Sequence, residues 1–229
     1  LAPDMFALMA AYWRRFGVYR PAYGIAHDLV FTVPGVRQWM SKLGAVPARP
    51  EFALELLRRG SVVLVFPGGD VDAYKSWSDR HLVKFGGRCG FIRVALRAQV
   101  PIVPAVAIGA HESTVVLSDG KNLAEKLGAK RVRLDVMPVS LGFPWGLIVG
   151  PVNPFVPFPT RIRIRLLPAI DLGLPPSAAD DDALVRDLAE RVRETMQHAL
   201  DELVTEGGFG LLGRLDLWRE SMATRDRRG

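Results

Sequence analysis

Apolar and polar positions along this chain switch between a helical and a strand-like period, and the switches mark its elements. The run MFALMAAYWRRFG, entered through Pro3-Asp4, has helical spacing, an acid at its start, and Arg14, Arg15 and Gly17 at its end. Residues 18–30 read as strand and loop, Val36 to Leu43 as a second helix stopped by Gly44, and Ala45 to Arg49 as a short strand or turn. Pro50 sits in the first turn of a third helix closed by Gly60. Val62 to Phe66 is an unbroken apolar run, which predicts a strand buried on both faces as in a parallel sheet. Pro67-Gly68-Gly69 ends that strand and opens a turn where φ is free to be positive. A polar loop containing Tyr74 and Trp77 follows.

Arg88 to Ala98 then predicts a helix, Val100 to Gly109 another buried strand, and the 110s and 120s loop and helix. RVRLDV (131–136) and RIRIRLL (161–167) alternate charge with apolar side chains, the pattern of strands covered on one face. Between them, residues 143–159 are rich in Pro, Gly and aromatics. Asp180 to Asp182 start a long amphipathic helix whose apolar stripe is Leu184, Leu188, Val192, Met196 and Leu203. The whole reads as α/β: a single domain over residues 1–205, with a mixed, mostly parallel central sheet flanked by helices, and a basic tail or short helix over 206–229.

Composition narrows the chemistry. The 229 residues are 49% hydrophobic, enough for one sizeable core, and carry 30 Lys and Arg against 24 Asp and Glu, a net charge of +6. That sign suits nucleic acid, anionic lipid or a phosphorylated substrate. The arginines are spread over many elements without a recognition motif, so no nucleic-acid partner is expected. Cys89 stands alone, which precludes an intramolecular disulfide, lacks zinc partners and reads as a small buried side chain. No metal is expected. No apolar run reaches the roughly 18–20 residues that span a bilayer. The chain opens Leu-Ala-Pro-Asp, already at the approach to a helix, and native residues ahead of Leu1 are expected.

Several signatures fail. GxSxG is absent, no glycine precedes Lys75-Ser76 as a P-loop requires, and the GxGxxG of Gly208 to Gly213 follows a helix and reads as a chain-terminal loop. His27, His81, His111 and His198 are scattered, with His198 on the polar side of the long helix. What remains is a turn after a strand, where ligands of α/β sheets bind, with acidic and basic groups close behind. Bare backbone N–H groups near Gly68 and Gly69 suit a phosphate or oxyanion.

Four segments in order are more specific: LGAVPAR (43–49), VFPGGDVDA (65–73), GRCGFIRVAL (87–96) and VPIVPAVAIGAHE (100–112). Their order and spacing resemble the glycerolipid acyltransferase superfamily, with a PGG spelling similar to the diacylglycerol acyltransferase type-2 branch. The resemblance runs from Asp4 to about Leu203 and implies an α/β acyltransferase. It matches the family's third block to Phe66, Pro67, Gly68, Gly69 and Asp70, with Gly68 in place of the usual glutamate and Asp72 as the acidic residue typical of the type-2-like branch. The second block falls on Gly44 to Arg49, one residue short of the commonest spacing, and the fourth on Val100, Pro101, Ile102, Val103 and Pro104. Val100, Pro101, Val103 and Pro104 are accordingly expected to be structural or to line an acyl pocket.

The catalytic first block pairs a histidine with an aspartate about five residues later. Only the aspartate is matched, to Asp4, which puts the histidine just ahead of Leu1; His27-Asp28 lacks that spacing. Helix capping is the plain alternative role for Asp4. Arg49, Lys75 and Arg88 are candidate anion partners, with a solvated surface charge as the plain alternative. Phe143, Trp145, Phe155 and Phe158 are candidates for an acyl groove or a membrane interface, or ordinary core. The resemblance implies transfer of an acyl group from acyl-CoA or acyl-carrier protein, as co-substrate and without a cofactor, to a hydroxyl of a lysophospholipid or related glycerolipid. Diacylglycerol or an alcohol as acceptor, and a catalytically inactive lipid-binding scaffold, are the alternatives. The expected setting is the cytoplasmic face of a membrane.

Overall fold

The computed structural model describes residues 3–17, 19–26, 31–32, 35–113, 115–118, 120, 138–142, 146–150 and 159–210. His27-Asp28, the RVRLDV segment and the four aromatics from Phe143 to Phe158 lie outside the described residues.

The first helix, α1 (Pro3–Phe16), leads into strand β1 (Ala22–Ala26), and Gly17 closes it with φ 72° and an N–H donated to the Trp13 carbonyl. Helix α2 (Val36–Lys42) feeds β2 (Ala45–Pro47), and α3 (Pro50–Arg58) feeds β3 (Val62–Leu64). These three strands form a parallel sheet in the order β2-β1-β3. Gly44 (φ 82°) turns α2 into β2, and its carbonyl accepts from Gly24 N–H at 3.0 Å. Asp4, at the start of α1, lies within electrostatic reach of Asp72 and Lys75, just past the glycine turn that ends β3.

Beyond that turn come α4 (Gly69–Ala73), a 3₁₀ turn at Trp77–Asp79, α5 (Gly90–Ala98) and β4 (Ala105–Ile108). Strand β5 (Val115–Ser118) pairs antiparallel with β6 (Val139–Gly142), and β6 with β7 (Gly146–Val149). Strand β8 (Arg163–Leu166), a strand as its alternating pattern predicts, lies antiparallel to β4. Helix α6 (Asp182–Glu206) covers that pair, with Asp181 as its N-cap accepting from Ala183 N–H and Leu184 N–H. The mixed α/β class is thus as expected, with the pairing among the described residues divided into one parallel and two antiparallel sheets.

The core sits under α6 in two contiguous groups. Phe85, Ile92 and Leu96 meet Val185 and Val192, and Val106 and Ile108 of β4 meet Ala199, Leu200 and Leu203. Each such large side chain contributes about 1.5–3 kcal/mol on burial. The apolar stripe of α6 is centred on Val185, Ala189, Val192, Ala199, Leu200 and Leu203, so the predicted Leu184, Leu188 and Met196 flank its centre. His198 is exposed, as predicted.

Other expectations are corrected. The run Val62 to Phe66 is not buried on both faces: the strand covers only Val62–Leu64, Val62 is 46% exposed and Phe66 38%. Among the described residues β3 pairs only with β1, which leaves its other edge without a ladder. In the second apolar run the strand starts at Ala105. Pro101 and Pro104 lack a ladder donor, and before β4 only Ile102 pairs, bridging to Ile170. The segment after the glycine turn is the short helix α4 rather than loop. Cys89 is half-buried at the N-cap of α5.

Candidate active site

The turn after β3 is built by close packing. Gly69 has φ 52° and its N–H donates to the Phe66 carbonyl, while Gly68 has an ordinary helical φ of −68°. Gly68 is needed for a different reason than backbone freedom. A Cβ there would stand 2.1 Å from the Lys84 carbonyl oxygen and 2.3 Å from the Asp72 Cβ. A Cβ on Gly69 would stand 2.2 Å from an Arg88 nitrogen. Both glycines make room for the protein's own groups. The expectation that their amides hold an anion fails for Gly69, whose N–H is already spent.

Arg88 reaches this turn from just before α5. Its guanidinium donates to the Gly68 carbonyl (2.8 Å) and to Asp70 Oδ1 (2.6 Å). Asp70 is 8% exposed at its side chain and Arg88 38%, so the carboxylate is enclosed and the guanidinium, still partly open to solvent, holds the turn through it.

Lys75 overturns the surface alternative. It is 5% exposed, and its Nζ donates to Asp72 Oδ1 (3.0 Å) and to the Leu82 carbonyl (2.6 Å). Asp72 Oδ1 also accepts from Lys84 N–H at 3.1 Å. Lys75 and Asp72 therefore tie α4 to the segment 82–84, which carries the carbonyl packed against Gly68.

Asp4 faces this same pair. Burial pushes its carboxyl above the usual range; the Met5 N–H, donating to Asp4 Oδ1 at 3.0 Å, pulls the other way. The charge of Asp72 adds to the rise and that of Lys75 opposes it. The structure so brings together Asp4, Phe66 to Asp70, Asp72, Lys75 and Arg88, which lie up to 84 residues apart in sequence. Arg49 belongs to the same edge by topology, since β2 ends at Pro47 and runs parallel to β1 as β3 does, whereas Gly44 precedes β2 and lies at its amino end. Arg49 is the exposed N-cap of α3. Val100, Pro101, Val103 and Pro104 precede β4 and lie at its amino end. Pro104 is buried and Val103 is 54% exposed.

Residues at the other end of β4 were missed as site members. His111 follows Ile108-Gly109-Ala110 and is held down to about 4, first by burial and then by the Lys75 charge, with Asp72 opposing. It is neutral at physiological pH. Beside it, His81 Nε2 and Glu112 Oε1 share a hydrogen bond of 3.3 Å, and Arg80 Nε lies 3.8 Å from the same oxygen. Glu112 Oε2 is buried without a partner among the described residues. The only sequence signal was His111-Glu112 standing shortly after the end of a strand. Among the described residues no group of His, Cys, Asp and Glu is arranged to hold a metal ion.

Residues 2–108, from α1 through β4, match the family model Acyltransferase, and this match supports the glycerolipid acyltransferase superfamily. An uncharacterised protein of Mycobacterium tuberculosis is 35% identical over 181 residues, covering 79% of this chain and 48% of the relative. An uncharacterised protein of Mycobacterium leprae is 33% identical over 178 residues, covering 77% and 46%. The mouse protein described as a DGAT1/2-independent enzyme synthesizing storage lipids is 30% identical over 199 residues, covering 87% and 52%. The chain thus spans about half the length of these relatives. No solved structure matches it.

Proposed function

We propose that this chain transfers a fatty acyl group from a thioester donor, acyl-CoA or acyl-carrier protein, to a hydroxyl of a glycerolipid. The observation that carries this reading is Asp4, a half-buried carboxylate at the start of α1, within electrostatic reach of Asp72 and Lys75 beside the glycine turn. A lipid hydroxyl has a pKa far above 7 and needs a base in contact with it. The family pairs this aspartate with a preceding histidine. In that role Asp4 orients the imidazole and stabilises its protonated form. The hydroxyl oxygen attacks the thioester carbonyl as its proton passes to the imidazole. The C–S bond then breaks, and the thiolate takes up the proton to leave as thiol. Lys75, Asp72 and Arg88 shape the turn against which the reacting carbonyl lies, acting as positioning residues rather than as anion ligands.

The acceptor follows less directly. A lysophospholipid suits the basic chain, whereas the storage-lipid description of the mouse relative favours mono- or diacylglycerol. The test is mass-spectrometric product detection with full-length protein, acyl-CoA, and lysophospholipids, monoacylglycerol and diacylglycerol offered in parallel. A new ester establishes the reaction and names the acceptor. No ester with any acceptor, from folded protein, leaves the scaffold reading in its place.

A further inference from the structure

From Met5 to Arg49 the sequence has six basic residues and one acid, Asp28. In the structure this excess lies beside exposed aromatics. Trp13 is 36% exposed, Phe16 45%, Trp39 53% and Tyr19 94%. They belong to one surface rather than to scattered points. Phe6 and Trp13, seven residues apart, share a face of α1, and the Phe6 ring lies 6.3 Å from that of Trp39 on α2. Phe16 continues the surface at the end of α1, with the guanidinium of Arg15 5.8 Å and that of Arg20 5.7 Å from its ring centre. Among the described residues, Arg14, Arg15, Arg20, Arg37 and Lys42 have no acidic partner.

We infer that this α1–α2 face docks the protein on an anionic lipid bilayer. The choice of occupant rests on the lipid chemistry proposed above and on charge. Trp and Tyr are favoured where hydrocarbon meets headgroups, and each Arg near an anionic surface is attracted by its potential. An aqueous partner with an apolar patch would leave five cations without counter-charge, and a second copy of the same face would set those cations against each other. The geometry also suits the reaction. The aromatic stripe begins at Phe6, two residues from Asp4, and runs the length of α1, roughly 20 Å for a helix of this size. With α1 lying along the bilayer surface, the Asp4 end of the helix meets the lipid layer from which the acceptor comes. No helix among the described residues is long and apolar enough to cross the membrane, so this contact lies in the plane of the interface.

The experiment is flotation of full-length protein with phosphatidylcholine vesicles, with and without phosphatidylglycerol, in the absence of acyl donor. Binding is expected to need the anionic lipid and to fall with added salt. It should drop at least about tenfold in Arg15→Glu/Arg20→Glu, since each lost attraction is compounded by a repulsion. Trp13→Ala/Trp39→Ala should weaken binding and abolish the blue shift of tryptophan emission on vesicles. Both variants should keep wild-type acyl transfer to detergent-dispersed acceptor, which also shows that they fold. Equal flotation of Arg15→Glu/Arg20→Glu and wild type overturns the inference, as does equal binding to vesicles lacking phosphatidylglycerol. So does a dimer in sedimentation that these substitutions dissolve. Absent acyl transfer with intact, charge-dependent flotation would instead count against the catalytic reading alone.

Discussion

Arginine does two different jobs in the two halves of this molecule. Around α5, β8 and α6 it is matched to carboxylates: Arg93 to Asp182, Arg97 to Asp180, Arg163 to Glu206, and Arg165 to both Glu202 and Glu206. These pairs stitch α6 to the elements beneath it, over a core of large buried side chains. Around α1 and α2, Arg15 and Arg20 lie against the Phe16 ring, Trp13, Phe16, Tyr19 and Trp39 are exposed, and the acid at the start of α1, Asp4, is turned inward. The lesson is that +6 of net charge says little until its distribution is known. Among the described residues, Arg93, Arg97, Arg163 and Arg165 are spent on carboxylates, whereas the cations of α1 and α2 face outward. The glycine turn stands between them, and it too consumes its charges, Arg88 on Asp70 and Lys75 on Asp72.

That contrast can be broken at several points. The largest effect belongs to Asp4. Asp4→Ala in the full-length protein should lower acyl transfer by about 10²–10⁴-fold, the usual worth of a group serving a general base, read by product mass spectrometry. Unchanged turnover would reduce Asp4 to a helix-start residue. Gly68→Ala should cost about 3 kcal/mol in urea unfolding, because a Cβ has no place beside the Lys84 carbonyl and the turn must move. If the variant unfolds at the wild-type midpoint, the packing described here is wrong. Lys75→Met should cost about 2 kcal/mol, less than a fully buried pair because Asp72 is 34% exposed at its side chain. Removing Glu202 from the other half should cost under about 0.5 kcal/mol, since that carboxylate is 69% exposed.

Two pH effects sharpen the same comparison. The Asp4 carboxyl is raised in the folded state, so its contribution favours folding at low pH and is lost as pH rises through the folded value. Near neutrality the ionised, partly desolvated group is a cost. Asp4→Asn should therefore be slightly more stable than wild type at pH 7 while losing activity, a separation that calorimetry and the acyl-transfer assay read together. His111 has the opposite sign. Its folded value, about 4, lies below its ordinary 6.5, so its contribution is present above 6.5 and is lost as pH falls toward 4. His111→Leu should flatten the loss of stability over that window in pH-dependent denaturation, and an unaltered slope would place the acid sensitivity elsewhere.

Local pattern was enough for α1, α2, α3, α5 and α6, because caps, prolines and closing glycines act within a few residues. The alternation of RIRIRLL marked β8 in the same way. The order of the four motif segments named the superfamily and pointed to Asp4 and to the turn from Phe66 to Asp72. What pattern could not supply was burial. Val62 and Phe66 look like core because they are apolar, yet their exposure depends on which strands flank β3. Lys75 looks like surface because it is charged, yet Asp72 and the Leu82 carbonyl offset the cost of taking it out of water.

His111 and Glu112 were legible as residues but not as neighbours of the turn, since 36 positions separate Lys75 from His111. The sequence by itself determined the helices, the alternating strand and the family, all of which rest on short-range chemistry. Only the tertiary structure decided which charges are spent inside and which face outward, because the desolvation and pairing that settle this are set by groups distant along the chain.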